Sequence, residues 1–180
     1  GIEPNKVSKS VKTDTDKVIV FNHRTKEYRG WKNFIKIIQE LRKQRQDFKV
    51  FCSMIDPAGQ SLVKNSFDDT SFFDYDGPSD RNEYITKLTN CRVGFHGGTR
   101  WAMSSQDGLC RGIPYVFEKG SETGELFGDR MQTGFSKNSE AIDLFNRMLD
   151  DDEYRNVQSQ LALDHCSNVH TWENRIKPFN

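Results

Sequence analysis

The sequence predicts an α/β protein in which helices cover both faces of a doubly wound parallel sheet. Three observations lead there. Short apolar runs of strand length alternate with helical patterns along most of the chain, and such alternation builds parallel sheets through crossover helices. The strand runs are continuously apolar, as in Lys17-Val18-Ile19-Val20-Phe21, which suits strands buried on both faces. The chain has 180 residues, enough for one domain core, and its 13 Phe and three Trp exclude a disordered polymer.

The elements follow in order. Residues 1–16 are polar and rich in Lys, Ser, Thr and Asp, and read as a linker or arm ahead of a domain spanning 17–180. The first strand covers 17–21. After a polar turn at 22–30 comes a helix in which Trp31, Phe34, Ile35, Ile37, Ile38 and Leu41 recur at three- and four-residue spacing. Arg42, Lys43 and Arg45 supply the positive charge favoured at its carboxyl end. A second strand at 48–52 makes 17–52 a strand–helix–strand crossover. The pattern continues with a short strand at 72–75 and a helix opened by Ser79-Asp80 that runs through Tyr84, Ile85 and Leu88. A strand at 92–96 precedes a helix from Ser104 to Arg111, which Gly112 stops. Strands at 113–117 and Gly134-Phe135 complete the sheet. A helix at 139–149 turns Ala141, Ile142, Leu144, Phe145 and Met148 inward, and a last helix runs from Glu153 to about Val169. The acidic run Asp150 to Glu153 reads as the opening of that helix rather than a metal cluster, because acids favour helix amino ends.

Composition excludes several functions. Lys+Arg and Asp+Glu are both 26, so the net charge is zero. That makes nucleic acid an unfavoured partner, since affinity for a phosphate backbone rests on excess positive charge. The mean hydropathy is −0.78, and no apolar run approaches the roughly 18 residues of a membrane helix. A chain that begins Gly1-Ile2-Glu3-Pro4 carries no signal-peptide pattern and reads as processed or truncated. Cys52, Cys91, Cys110 and Cys166 form no C-x-x-C pair, so a zinc site is not expected, and free thiols point to a cytoplasmic protein. There is no Walker A, G-x-S-x-G or H-E-x-x-H sequence. His96, Ser104 and Ser105 lack the spacing of a hydrolytic triad. Trp31, Trp101 and Trp172 are expected as packing anchors, and His165 and His170 as partly exposed residues without a ligand role.

Parallel sheets bind ligands at the carboxyl ends of their strands, so the loops there are the candidates. The loop after Phe21 holds Asn22, His23, Arg24, Lys26, Arg29 and Gly30 just before a helix. Guanidinium groups match phosphate oxygens two at a time, and a helix amino end favours anions. The same composition also suits a solvated basic turn. His96-Gly97-Gly98-Thr99 follows the 92–96 strand, and paired glycines let backbone approach a ligand. The loop 118–125 has three carboxylates, Glu118, Glu122 and Glu125, and suits hydroxyl groups better than phosphate.

Taken in order, four segments resemble the carboxyl-terminal, nucleotide-sugar-binding half of a GT-B glycosyltransferase, in particular its large retaining group. They are Phe21-Asn22-His23-Arg24 with Arg29-Gly30; Phe73-Asp74-Tyr75-Asp76-Gly77; Asp107-Gly108-Leu109-Cys110-Arg111-Gly112-Ile113-Pro114; and the tail, with a helix near 139–149, an acidic break, a second helix and Trp172. The likeness spans roughly 17–175. It departs where the family has Lys and this chain has Arg29, where the family has Glu and this chain has Asp107, and where the family's other Glu would fall on Thr99. His96, Arg100 or Glu122 are the residues available to compensate.

The resemblance implies a Rossmann-like donor domain, one half of a GT-B fold. Arg24 and Arg29 would be the catalytic cations that stabilise the departing nucleoside diphosphate, with no metal or other cofactor required. Tyr75, Gly77, Gly97, Gly98, Thr99 and Asp107 would bind the donor, Asp107 at the ribose, the residues from Tyr75 to Pro78 near the base, and Gly97 to Thr99 at the sugar. A UDP-sugar is the favoured donor, and transfer would retain anomeric configuration. The acceptor site would belong to an amino-terminal domain outside this chain, leaving the domain alone weakly active or inactive. The alternative is a noncatalytic doubly wound module that binds a nucleotide or a partner.

Overall fold

The computed structural model describes residues 8, 12–13, 15–75, 77, 80–98, 102–121 and 131–170. Six strands form one sheet: β1 Val18–Phe21, β2 Lys49–Cys52, β3 Phe73–Asp74, β4 Val93–His96, β5 Tyr115–Glu118 and β6 Gly134–Phe135. Their order is β3-β2-β1-β4-β5-β6 and every neighbouring pair is parallel. The helices are α1 Trp31–Gln44, α2 Pro57–Ser66, α3 Arg81–Thr89, α4 Met103–Leu109, α5 Asn138–Asp150 and α6 Asp152–His165, which runs on into a π-helix at Cys166–His170. This is the α/β, doubly wound architecture that the alternation predicts.

Side-chain alternation divides the core into two layers. Ile19, Phe21, Val93, Phe95 and Val116 point to the face covered by α1, α2 and α5. Val20, Phe51, Tyr115 and Phe117 point to the other face, covered by α3, α4 and α6. The first layer is aromatic at its centre: the Phe95 ring lies 5.0 Å from Phe34 and 5.8 Å from Phe135. Trp31 is 3 % exposed and packs on Phe21 at 4.9 Å, a packing anchor as expected. Trp101 and Trp172 lie outside the described residues.

Two features depart from the sequence reading. Helix α2 was not expected, although its start is written plainly in Asp56-Pro57: Asp56 accepts from the Gly59 amide, and Pro57 occupies the first turn. Its short apolar face, with Val63 fully buried, leaves too weak a periodic signal. His165 is 5 % exposed rather than partly open, because α6 turns it toward the sheet along with Ala162 and Cys166. The side chain of His170 lies outside the described residues. The acidic run behaves as expected: Asp151 caps α6 by accepting from the Tyr154 amide, and Asp152 and Glu153 sit in its first turn. Of residues 1–16, Ser8 donates its amide to the Cys110 carbonyl at 2.7 Å, and Lys12 reaches Asn90.

Candidate functional site

In this strand order the chain reverses direction between β1 and β4, so the loops after those strands flank a crevice. The first loop dives inward and then out again. Asn22 and His23 are 0 % and 1 % exposed, whereas Arg24 is exposed. Asn22 holds four elements together. Its Nδ2 donates to the Ser104 carbonyl at 2.6 Å and to the Tyr84 hydroxyl at 3.2 Å. Its Oδ1 accepts from the Tyr115 hydroxyl at 3.1 Å. The end of β1 is thereby tied to α3, α4 and β5.

Beneath the crevice lies a buried imidazole pair. His23 Nδ1 is 2.8 Å from Ser104 Oγ, and His23 Nε2 is 3.0 Å from His96 Nδ1. Ser105 Oγ lies 2.9 Å from the same His96 nitrogen. Burial pushes the His23 pKa well below its ordinary 6.5, and the neighbouring His96 and Arg29 act in the same direction. The charged form of the ring is thereby disfavoured, and which of the two facing nitrogens donates depends on the tautomer. His96 and Ser105 are both 0 % exposed, so the Ser105 hydroxyl is closed to a substrate and the group serves as scaffold beneath the cleft.

The paired glycines have a steric cause. Gly30 has φ 76°, and a Cβ there would lie 2.6 Å from the Gly97 carbonyl carbon. A Cβ on Gly98 would lie 2.8 Å from the Tyr28 carbonyl oxygen. The loops after β1 and β4 therefore press backbone against backbone, which only glycine permits.

Above this frame opens a cleft of two lobes that share Met54 and Ser104. One, of about 450 Å³, is lined by Ser53, Arg81, Tyr84 and Asp107 as well. The other, of about 340 Å³, adds His23, Arg24, Tyr28, Arg29 and Met103. Asp107 and Arg81 form a two-pronged pair, at 2.8 Å and 3.0 Å, which raises the Arg81 pKa. Arg24 has no ion pair among the described residues. Ser53 Oγ is buried without a partner among them, at the end of β2 and facing the larger lobe. Tyr28, Met54 and Met103 are 51 %, 43 % and 63 % exposed and ring the smaller lobe. Exposed apolar side chains gathered around a polar cleft mark a binding surface.

A larger hollow, of about 500 Å³, lies at the opposite, amino-terminal edge of the sheet. Its charges are spent on one another: Lys17 bonds Asp47 at 2.7 Å, and the Arg42 guanidinium sits 4.2 Å over the Phe72 ring. The two-lobed cleft is the candidate site.

The cleft brings together Arg24, Arg29 and Asp107. Gly97 and Gly98 lie buried beneath it, against the first loop. Tyr75 packs against the core, 6.5 Å from the Phe73 ring, and Gly77 is exposed; neither lines the cleft. Thr99, Arg100, Glu122, Glu125, Asp76 and Pro78 lie outside the described residues. Sequence reasoning passed over Ser53, Met54, Arg81 and Tyr84. The strand-end rule could have found the first two, since they directly follow β2; the start of α3 at Asp80 was legible, but nothing local shows that its first turn brings Arg81 and Tyr84 to the cleft.

No protein-family model matches the sequence, and no curated protein sequence matches it. Solved structures do match in fold. The C-terminal domain of LpcC, a glycosyl transferase group 1 family protein from Francisella tularensis, superposes with a TM-score of 0.74 at 12 % identity, over 96 % of this chain and 100 % of that domain. TarM from S. aureus, in a variant complexed with Fondaparinux, alpha-GlcNAc-glycerol and UDP, superposes with a TM-score of 0.80 at 10 % identity. That match covers 99 % of this chain, which spans only 37 % of TarM. The catalytic domain of cholesterol-alpha-glucosyltransferase from Helicobacter pylori gives 0.71 at 18 % identity, over 86 % of this chain and 99 % of that one. The fold is that of the C-terminal domain of GT-B glycosyltransferases.

Proposed function

We propose that this domain binds the donor of a glycosyltransferase, a nucleoside-diphosphate sugar, with a UDP-sugar favoured. The observation that carries the reading is the convergence of Arg24, Arg29 and Asp107 on one two-lobed cleft at the switch point of a GT-B-type domain. A domain of this fold has been seen in a chain that binds UDP.

In this reading the diphosphate lies in the smaller lobe. Arg24 and Arg29 neutralise it, and the amino end of the 14-residue α1 adds the partial positive charge of its helix dipole. The larger lobe takes the nucleoside. Asp107, held by Arg81 in a fixed orientation, accepts from the ribose hydroxyls. As the glycosidic bond breaks, charge builds on the departing diphosphate, and preorganised guanidinium groups stabilise it more than they stabilise the intact donor. This leaving-group role needs no metal. The donor sugar lies toward Gly97, Gly98 and Thr99. The acceptor is held by an amino-terminal domain across the cleft, as the greater length of TarM suggests. Retention of configuration and a cytoplasmic setting complete the proposal. Among the described residues no helix is long and apolar enough to cross a membrane.

The test is an amide NMR titration of the domain with UDP, GDP and ADP in the absence of metal. Saturable shifts with one nucleotide, centred on Arg24, Ser53 and Asp107, are expected. Arg24→Ala is expected to weaken that binding by about 10-fold or more, the value of a charge-assisted hydrogen bond. Absence of shifts with all three nucleotides at millimolar concentration overturns the reading. The second reading, a noncatalytic module, draws on the engagement of both Asp107 oxygens by Arg81. It retains binding but not transfer, and a transfer assay with the acceptor half present separates the two. Determining the anomer of that product tests retention.

A further inference from the structure

Two of the four thiols meet. Cys110 Sγ lies 2.8 Å from Cys166 Sγ, across 56 residues of sequence. Neither is in a disulfide, and they are 2 % and 0 % exposed. Cys110 follows the last turn of α4, whose earlier residues Ser104 and Asp107 line the cleft. Cys166 opens the π-helix that continues α6. The Ser8 amide also bonds the Cys110 carbonyl. Three parts of the chain far apart in sequence therefore meet at this one residue.

The geometry points to Cys110 and Cys166 as a thiol-oxidation site, at which a small disulfide or a peroxide converts the pair into a cross-link between the cleft-bearing helix α4 and the carboxyl-terminal segment. With a small disulfide, one cysteine loses its proton, attacks, and expels a first small thiolate to leave a mixed disulfide on the protein. The second cysteine then loses its proton and attacks the protein-bound sulfur, expelling a second small thiolate. One sulfur–sulfur bond forms within the protein, one breaks in the oxidant, and the two protons end on the two released thiols. The sulfurs need to close only from 2.8 Å to about 2.05 Å. Reaction begins slowly, because the facing sulfur and burial both raise the Cys110 pKa and leave little thiolate. Cys52, the last residue of β2, and Cys91, just ahead of β4, are buried with no sulfur partner among the described residues and serve as internal controls.

The experiment treats the natively folded wild-type chain with oxidised glutathione and reads intact mass, peptide maps and thermal midpoint. The expected product has lost two hydrogens, carries a single Cys110–Cys166 linked peptide and keeps Cys52 and Cys91 reduced. Its thermal midpoint is expected to rise by roughly 5–15 °C, because a long loop is closed in the unfolded chain. Dithiothreitol reverses both changes. A Cys166→Ser variant is expected to stop at the glutathione adduct of Cys110 or to stay unmodified, and a Cys52→Ser variant to behave as the wild type. Native oxidation that yields no Cys110–Cys166 peptide, or that modifies Cys52 or Cys91 at the same rate, overturns the assignment.

Discussion

At the scale of single residues, the buried polar groups beneath the cleft set its properties. Burial first, and then repulsion from the neighbouring His96 and the Arg29 guanidinium, disfavour the charged form of His23. Its folded pKa lies below the unfolded value of 6.5, so the unfolded chain binds more protons in acid. The stability this contributes is complete above pH 6.5 and is lost as pH falls below it. Urea unfolding at a series of pH values is expected to show this loss, with a slope of up to about 1.4 kcal/mol per pH unit for the one proton. His23→Asn is expected to flatten the slope. Gly30 makes a second residue-scale case: at φ 76°, with the Gly97 backbone 2.6 Å from any added Cβ, Gly30→Ala is expected to cost about 1–3 kcal/mol. A thermal melt of that variant measures the cost.

At the scale of elements, caps and ion pairs decide where the cleft walls stand. Asp80 accepts from the Asn82 and Glu83 amides and so starts α3 one residue before Arg81. Asp80→Ala is expected to cost about 1 kcal/mol of stability. It is also expected to weaken nucleotide binding, because Arg81 reaches Asp107 from the first turn of that helix. Asp80→Asn, which keeps the cap, is expected to restore both. The opposite edge of the sheet shows the acid counterpart. Arg45 and Lys17 clasp Asp150 at 2.6 Å and 2.8 Å and hold its pKa near 2 instead of 3.8. This lowered pKa stabilises the fold above about pH 4 and loses its effect as pH falls toward 2. The Asp150→Asn variant is expected to unfold with a weaker pH dependence in that range, measured by the same denaturation series.

At the scale of the whole molecule, one sheet carries two different cores. The face under α1 and α5 is filled by stacked aromatic rings, with Phe95 at their centre and fully buried. The other face mixes smaller side chains, tyrosines and three of the four cysteines. Phe95→Ala is expected to remove about 3–5 kcal/mol, a large share of the stability of a single domain. The loss should appear as a lower urea midpoint. It should also loosen the cleft, because β4 carries His96 and the glycine loop directly after this ring.

The sequence by itself determined the architecture. Continuous apolar runs, helical spacing in 31–41 and 139–149, and the stop at Gly112 are local signals, and each reflects burial or backbone freedom that needs no distant partner. Strand ends located from those runs singled out the loop that holds Arg24 and Arg29, whereas Asp107, inside α4, came from the resemblance of its segment to a GT-B donor domain. Only the tertiary structure decided that these three line one cleft, that Ser53, Arg81 and Tyr84 join them, and that Tyr75 and Gly77 do not. It alone explained Gly98, whose added Cβ would strike the backbone of the first loop, and Gly97, whose added Cβ would strike the Phe95 ring. It alone brought Cys110 to Cys166. Such pairings depend on where crossovers return the chain, and periodicity records which face of an element is buried without recording what lies against it.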